Sequence, residues 1–377
     1  MDNYISKVVI WKDRIMTESY KPLTKNEELV LYGLVKFPDK NDKQLAQLLD
    51  MKDSTLTSIK KRLEEQKFFK TLYIPMLNRL GCEILGIISS TFNPIIPLEE
   101  RIKITSEKIE TFEEIFFSLG ELEKGFSLSF SKDFSSFANI NEVRTETFGQ
   151  LGLLENNTPT ELIFPFKLSN IDSFFACDRI LEDYFNIASK ENPDEPYIRP
   201  KWFEDGSIKP LSLKERKVLV ALIKNPNMTM EKIGEDENVE LSRHTVARMK
   251  RKFLAEGLIK KMIIPDLKSI GFDIMVFYTF RFNPNHPPQF EDFEMINSKS
   301  TLFFAHRKFN AVMLSVYATY ADYKEDKMRK FTYLKDQNIL TYNPAPKKYV
   351  FDQMEIIKYF KFAPITEKIL LSDLAEE

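Results

Sequence analysis

The chain has 377 residues, 43% hydrophobic and 29% charged, with a formal net charge of −2; that allows two to four packed domains but no global positive field to attract nucleic acid. Cys82 and Cys177 are the only cysteines and His244, His286 and His306 the only histidines, which excludes a disulfide framework and gives no zinc-ligand spacing, so no metal or cofactor is expected. No apolar run approaches the ~18 residues of a membrane span, and Asp2, Lys7, Lys12 and Asp13 interrupt the start where a signal peptide is apolar, so a cytoplasmic protein without membrane contact is expected.

In chain order, residues 1–20 read only as a short helix or arm. Residues 21–38, KPLTKNEELVLYGLVKFP, then align without a gap with residues 209–226, KPLSLKERKVLVALIKNP. Val30, Leu31, Leu34 and Val35 form one helical face, matched by Val218, Leu219, Leu222 and Ile223, and Pro38 and Pro226 end each helix. A second pair of segments, 60–94 and 250–284, shares a basic helix, an Ile-Pro-x-Leu turn, a lone Gly (Gly81, Gly271), an apolar run and a closing Phe-Asn-Pro. The chain therefore reads as an internal duplication.

Each copy predicts three helices and a short strand pair, then a separate α/β unit. The helices fall at about 25–36, 41–49 and 53–66 in copy one and 213–224, 229–235 and 242–256 in copy two, with the strand or wing at 68–74 and 258–264. The α/β units predict strand, helix, strand, strand, helix, strand over 84–167 and 273–351, the order of a ferredoxin-like split βαβ arrangement. Segments 171–189 and 352–372 read as extra helices, and the prolines 193, 196, 200 and 210 mark a linker. The expected fold class is α+β, with tandem winged helix-turn-helix domains each followed by a ferredoxin-like βαββαβ domain. Its divisions are an arm at 1–20, winged helices at 21–78 and 209–268, α/β domains at 79–189 and 269–377, and a linker at 190–208.

The segment 241–261, LSRHTVARMKRKFLAEGLIKK, sets seven basic residues against one acid, Glu256. Ser242 is a candidate N-cap, and Val246, Met249 and Phe253 are spaced to face the core. In a helix-turn-helix this helix enters the major groove by its N-terminal end. Arg243, His244 and Arg248 are candidates for base edges, with Ser242 and Thr245 beside them; Lys250, Arg251 and Lys252 are candidates for phosphates, and Lys260 and Lys261 for flanking backbone contacts from a wing. The corresponding span 51–71 has six bases and three acids and opens on hydroxyls. There Lys52, Ser54, Thr55, Ser58, Lys60, Lys61 and Arg62 are the candidate DNA contacts, of weaker pull than the second set.

The run Leu241-Ser242-Arg243-His244-Thr245-Val246, continuing through Leu254-Ala255-Glu256-Gly257-Leu258-Ile259 to Ile270-Gly271, resembles the Lrp/AsnC (feast/famine) regulators. That resemblance implies a DNA-binding winged helix joined to a ferredoxin-like effector domain, and self-association through the α/β sheets, here within one chain. The family's Gly-x-x-Asp effector segment is matched by Gly125-Phe126-Ser127-Leu128 and Asn310-Ala311-Val312-Met313, neither with the Asp, so a small-molecule effector is left open. No phosphate loop, nucleophile elbow or His-Glu-x-x-His motif occurs, and the chain is expected not to be an enzyme. His306 reads as a surface histidine. The expected function is a double-stranded-DNA-binding transcription regulator with two unlike winged helices, the second dominant. Its rivals are a protein-interaction module for the transcription or replication machinery, and a plasmid or viral replication initiator.

Overall fold

The computed structural model describes residues 22–155, 158–187, 202–204, 206–340, 342 and 344–372. The expected arm lies outside these, as does most of the expected linker. The fold is α+β, and its sheets are antiparallel throughout.

The first half opens with three helices, α1 (Lys25–Lys36), α2 (Asp42–Leu48) and α3 (Asp53–Glu65). Thr24 caps α1 in a reciprocal box with Glu27, and Asn41 caps α2 with Gln44, so the first two helices each have a side-chain reason to start where they do. Strand β1 (Phe69–Pro75) follows. Next come β2 (Ile84–Thr91), α4 (Leu98–Thr111), β3 (Ile115–Gly120), β4 (Lys124–Ser131), α5 (Phe134–Gln150) and β5 (Thr160–Pro165), then β6 (Asn170–Phe174) and α6 (Asp178–Tyr184). The second half repeats the sequence of elements. It has α7 (Leu213–Lys224), α8 (Met230–Gly234), α9 (Arg243–Ala255), β7 (Ile259–Pro265), the single turn α10 (Leu267–Ile270), β8 (Ile274–Arg281) and α11 (Phe290–Ile296). It ends with β9 (Thr301–His306), β10 (Asn310–Tyr317), α12 (Tyr320–Asp336), β11 (Lys347–Val350), β12 (Glu355–Lys358) and α13 (Ala363–Leu371).

Two expectations are corrected. Among the described residues no strand pair forms within either helical unit: β1 pairs with β7 instead, from Phe69 opposite Pro265 to Pro75 opposite Ile259. Each unit offers a single strand there, and its exposed backbone groups find partners only on the other unit. Segments 171–189 and 352–372 are likewise not wholly helical, because each begins with a short strand, β6 or β12. Those strands cross over. The order in one sheet is β12-β3-β4-β2-β5, and in the other β11-β8-β10-β9-β6, so each half lends an edge strand to the other's sheet.

The inner faces of the two sheets meet in one apolar core, where the Phe126 ring lies 4.9 Å from Phe277 and 5.4 Å from Tyr349. Phe116 stacks at 4.8 Å on both Phe130 and Phe362, which ties sheet one to the chain just before α13. Phe203, inside the expected linker, is buried in this core and packs on Phe130 and Phe174. The helices α4 and α5 pack on the outer face of sheet one, and α11 and α12 on that of sheet two. His306 is not a surface residue: it is 6% exposed, its ring stacks on Phe293 at 3.7 Å, and Nε2 lies 3.0 Å from the Asp172 carboxylate of the exchanged strand β6. Among the described residues no helix is long and apolar enough to cross a membrane.

Phe116→Ala removes a fully buried ring with stacked partners on both sides, so it should lower unfolding free energy by about 3–5 kcal/mol in chemical denaturation.

Candidate nucleic-acid interface

The packing of α8 against the start of α9 is set by one close approach. A Cβ on Gly234 would lie 2.2 Å from the Leu241 carbonyl oxygen, and Leu241 N–H donates to the Gly234 carbonyl at 3.0 Å. Only glycine lets α8 and the start of α9 come this near. Ser242 then caps α9 by accepting from Thr245 N–H, as the sequence predicts. Val246 and Phe253 are fully buried, and Met249 packs beside them, so the helix is held on its inner side.

What faces outward is basic. Arg243, His244, Arg248, Arg251 and Lys252 are exposed. Among the described residues Arg243, Arg248 and Arg251 pair with no carboxylate, while the Arg251 side chain only touches the Ala247 carbonyl at 3.4 Å. The remaining candidates differ. Lys252 is bound to Glu215 at 2.6 Å. Lys250 is half-buried over the Tyr73 ring of β1, at 4.8 Å. Lys260 and Lys261 are half-buried in β7, opposite Ile74 and Tyr73, and Lys260 lies 4.5 Å above the Trp202 ring. Burial holds both lysines below the usual ammonium range. A free wing is therefore not what carries them.

In the first half the corresponding helix, α3, is nearly neutralised. Lys60 pairs with Asp42 at 2.6 Å, Arg62 with Glu27 at 2.7 Å and Lys61 with Glu65 at 3.8 Å. Asp53 stands in its first turn, and Lys52, at the cap position, makes no side-chain cap. Ser54 and Ser58 are exposed and Thr55 half-exposed. The hydroxyl edge is open, but little unpaired positive charge stands beside it.

Glu27–Arg62 and Glu215–Lys252 occupy the same place in the two halves, each joining the capping residue of the first helix to the third. Glu27 and Glu215 take the same position in the aligned segments 21–38 and 209–226, which is the one sequence signal that points to them; the ring partners Tyr73 and Trp202 come from distant segments and leave no local trace. The Glu215 carboxyl is held below its ordinary value, chiefly by its hydrogen bond from Lys252 and then by the Ser212 N–H.

No family model and no curated protein matches the chain. Among solved structures, the siroheme decarboxylase NirDL is similar over 92% of this chain and 99% of its own, at 11% identity and a TM-score of 0.49. An AsnC family transcriptional regulator from Agrobacterium tumefaciens matches 37% of this chain and 89% of its own, at 14% identity and a TM-score of 0.28. The transcriptional regulator NMB0573 from Neisseria meningitidis, solved with L-Met, matches 38% and 89%, at 15% and 0.29. Regulators of the AsnC type are thus among the structural neighbours. The expectation that the chain is not an enzyme is overturned: a structure similar along nearly the whole chain is that of an enzyme.

Two outcomes are expected here. Because the folded Glu215 carboxyl titrates below its unfolded value, its contribution to stability is present above the unfolded pKa of ~4.5 and is lost as pH falls through the folded value. Thermal unfolding of Glu215→Gln and of the unaltered chain should therefore differ at neutral pH and converge in acid. Gly234→Ala should fold with a displaced α9 and lower stability, read by a drop in melting temperature.

Proposed function

We propose that the chain is a double-stranded-DNA-binding regulator built from two winged helix-turn-helix units, each joined to a ferredoxin-like domain, with α9 as the principal reading helix. The observation that carries this reading is the row Arg243, His244, Arg248 and Arg251: exposed, free of carboxylates and fixed on a helix capped by Ser242. A capped helix end with exposed guanidinium groups fits the major groove, where arginine reads guanine through two hydrogen bonds. Arg243, His244, Thr245 and Arg248 take base edges, and Arg251 and Lys250 take phosphates. The first half adds hydroxyl contacts from Ser54, Thr55 and Ser58, with little electrostatic pull. The bound site is asymmetric, since the two reading helices differ. The proposal concerns one face of the molecule, and catalysis elsewhere in the chain is compatible with it. We place the protein in the cytoplasm, and any self-association in the α/β domains.

Fluorescence anisotropy on random and selected duplexes tests this. Affinity should fall with salt by roughly 0.9 logarithmic units per logarithm of salt for each phosphate neutralised. Arg243→Ala should cost about 1–3 kcal/mol on the preferred sequence and relax specificity, whereas Arg251→Ala should weaken all sequences alike. Lys60→Ala, already paired with Asp42, should change little. Unchanged affinity after charge reversal at Arg243, Arg248 and Arg251 would instead favour a protein-interaction surface.

A further inference from the structure

The outer faces of the two sheets are covered in different ways. Under α11 and α12, sheet two is filled by Phe280, Phe304, Met313 and Tyr317, each buried. Laying β2, β3, β4 and α5 of the first half on β8, β9, β10 and α12 puts a serine at every one of these positions: Ser90, Ser118, Ser127 and Ser131, all buried. The apolar cluster left there is small, comprising Phe92, Ile109, Ile115, Phe148 and Leu153 at its centre.

Two arginines enter the same layer. Arg101 of α4 and Arg144 of α5 are each 2% exposed. Their guanidinium groups lie over rings of that one cluster, Arg101 at 4.2 Å from Phe92 and Arg144 at 5.5 Å from Phe148. Arg101 donates to the Glu121 carbonyl and Arg144 to the Ser90 hydroxyl at 3.0 Å. Among the described residues, Nε and Nη1 of both arginines, both amide atoms of Asn141 and the Ser131 hydroxyl are buried without a partner.

The second half shows what a closed version looks like. Lys330 lies where Arg144 does and is equally buried, but Asp326 neutralises it at 2.6 Å, and Tyr317 donates to the same carboxylate at 2.7 Å. In the first half Ile140 stands in the place of Asp326. A buried, uncompensated guanidinium is strongly unfavourable; burial lowers the pKa of Arg101 to about 10, and lowers that of Arg144 to about 10 even against the opposing pull of Glu161. Among the described residues the carboxylate that acts on Arg144 is the exposed Glu161.

We propose that the layer between sheet one and α4–α5 binds a small molecule whose single terminal oxyanion group, carboxylate or phosphate, is taken up by Arg144 and Arg101, with Asn141 and the serines completing its hydrogen bonds. Planar guanidinium forks match such a group. Asn141 also lines an open depression of about 680 Å³ with Thr145, Thr158 and Glu161; neither arginine lines it, and we place the entry there, past the Asn141 amide. Glu142 and Glu146 also stand on that rim, so the outward end of the ligand is neutral or cationic.

The full-length protein, titrated with butyrate, succinate or inorganic phosphate at up to tens of millimolar, is followed by thermal unfolding and calorimetry. Butyrate or phosphate should stabilise it, the one that does so identifying the group, and the dianion succinate should act more weakly. Arg144→Met should raise the melting temperature of the unliganded protein and weaken binding by about tenfold or more. Ser127→Met, which installs the second-half residue, should abolish the response if Arg144→Met does not fold. Neither variant should alter DNA affinity, which separates this site from the α9 face. The absence of any response, or a response that survives these substitutions, overturns the proposal.

Discussion

The exchange of edge strands holds this molecule together. Strands β3 and β9 are buried along their whole length, yet each would be an open sheet edge within its own half. An apolar edge with unpaired N–H and C=O groups is an aggregation template unless something covers it. Here β12 pairs with β3 and β6 with β9, with Ile356 opposite Leu119 and Phe174 opposite Phe303. The chain segments that lead into and out of these strands carry Phe175, Phe360 and Phe362 into the shared core, where Phe175 and Phe360 meet edge to face at 4.5 Å. Neither α/β unit is complete without the other.

A second antiparallel pair, β1 with β7, does for the helical units what the exchange does for the sheets. It draws Lys250 and Lys261 toward Tyr73 and leaves the first turns of α9 as the outlying basic edge. The distribution of charge follows. Both halves bind one cation of the third helix to the glutamate of a capping box, Arg62 to Glu27 and Lys252 to Glu215, so these two cations serve the helical bundle. Of the two third helices, α9 keeps three arginines, Arg243, Arg248 and Arg251, unpaired with any carboxylate among the described residues, whereas the Lys60, Lys61 and Arg62 cations of α3 are paired. A molecule of net charge −2 can therefore present a strongly positive ridge.

Much of this was legible in the residues. The helices of both units, the caps at Ser242 and the inward set Val246, Met249 and Phe253 follow from local spacing, and local spacing is what one sequence records. The crossed strands were not legible. β6 and β12 have five and four residues, too few for a period, and each adjoins a helix that masked it. Their partners lie in the other half, as do those of β1 and β7. The same blindness hid His306, whose neighbour Asp172 comes from the exchanged strand, and the lysine-on-ring contacts with Tyr73 and Trp202. Nothing nearby in the chain marks Arg101 and Arg144 as lying on a covered helical face, so their burial leaves no trace in the sequence.

Joining both halves in one polypeptide has an evolutionary consequence. In a symmetric pair of identical chains every substitution appears twice, so a residue useful on one side must be tolerated on the other. Here each position is encoded separately. Serines stand in one outer layer where Phe280, Phe304, Met313 and Tyr317 fill the other, and arginines stand on one third helix where the other has hydroxyls. The covalent link thus releases the two lobes from symmetry, and it lets one specialise while the other preserves the shared frame.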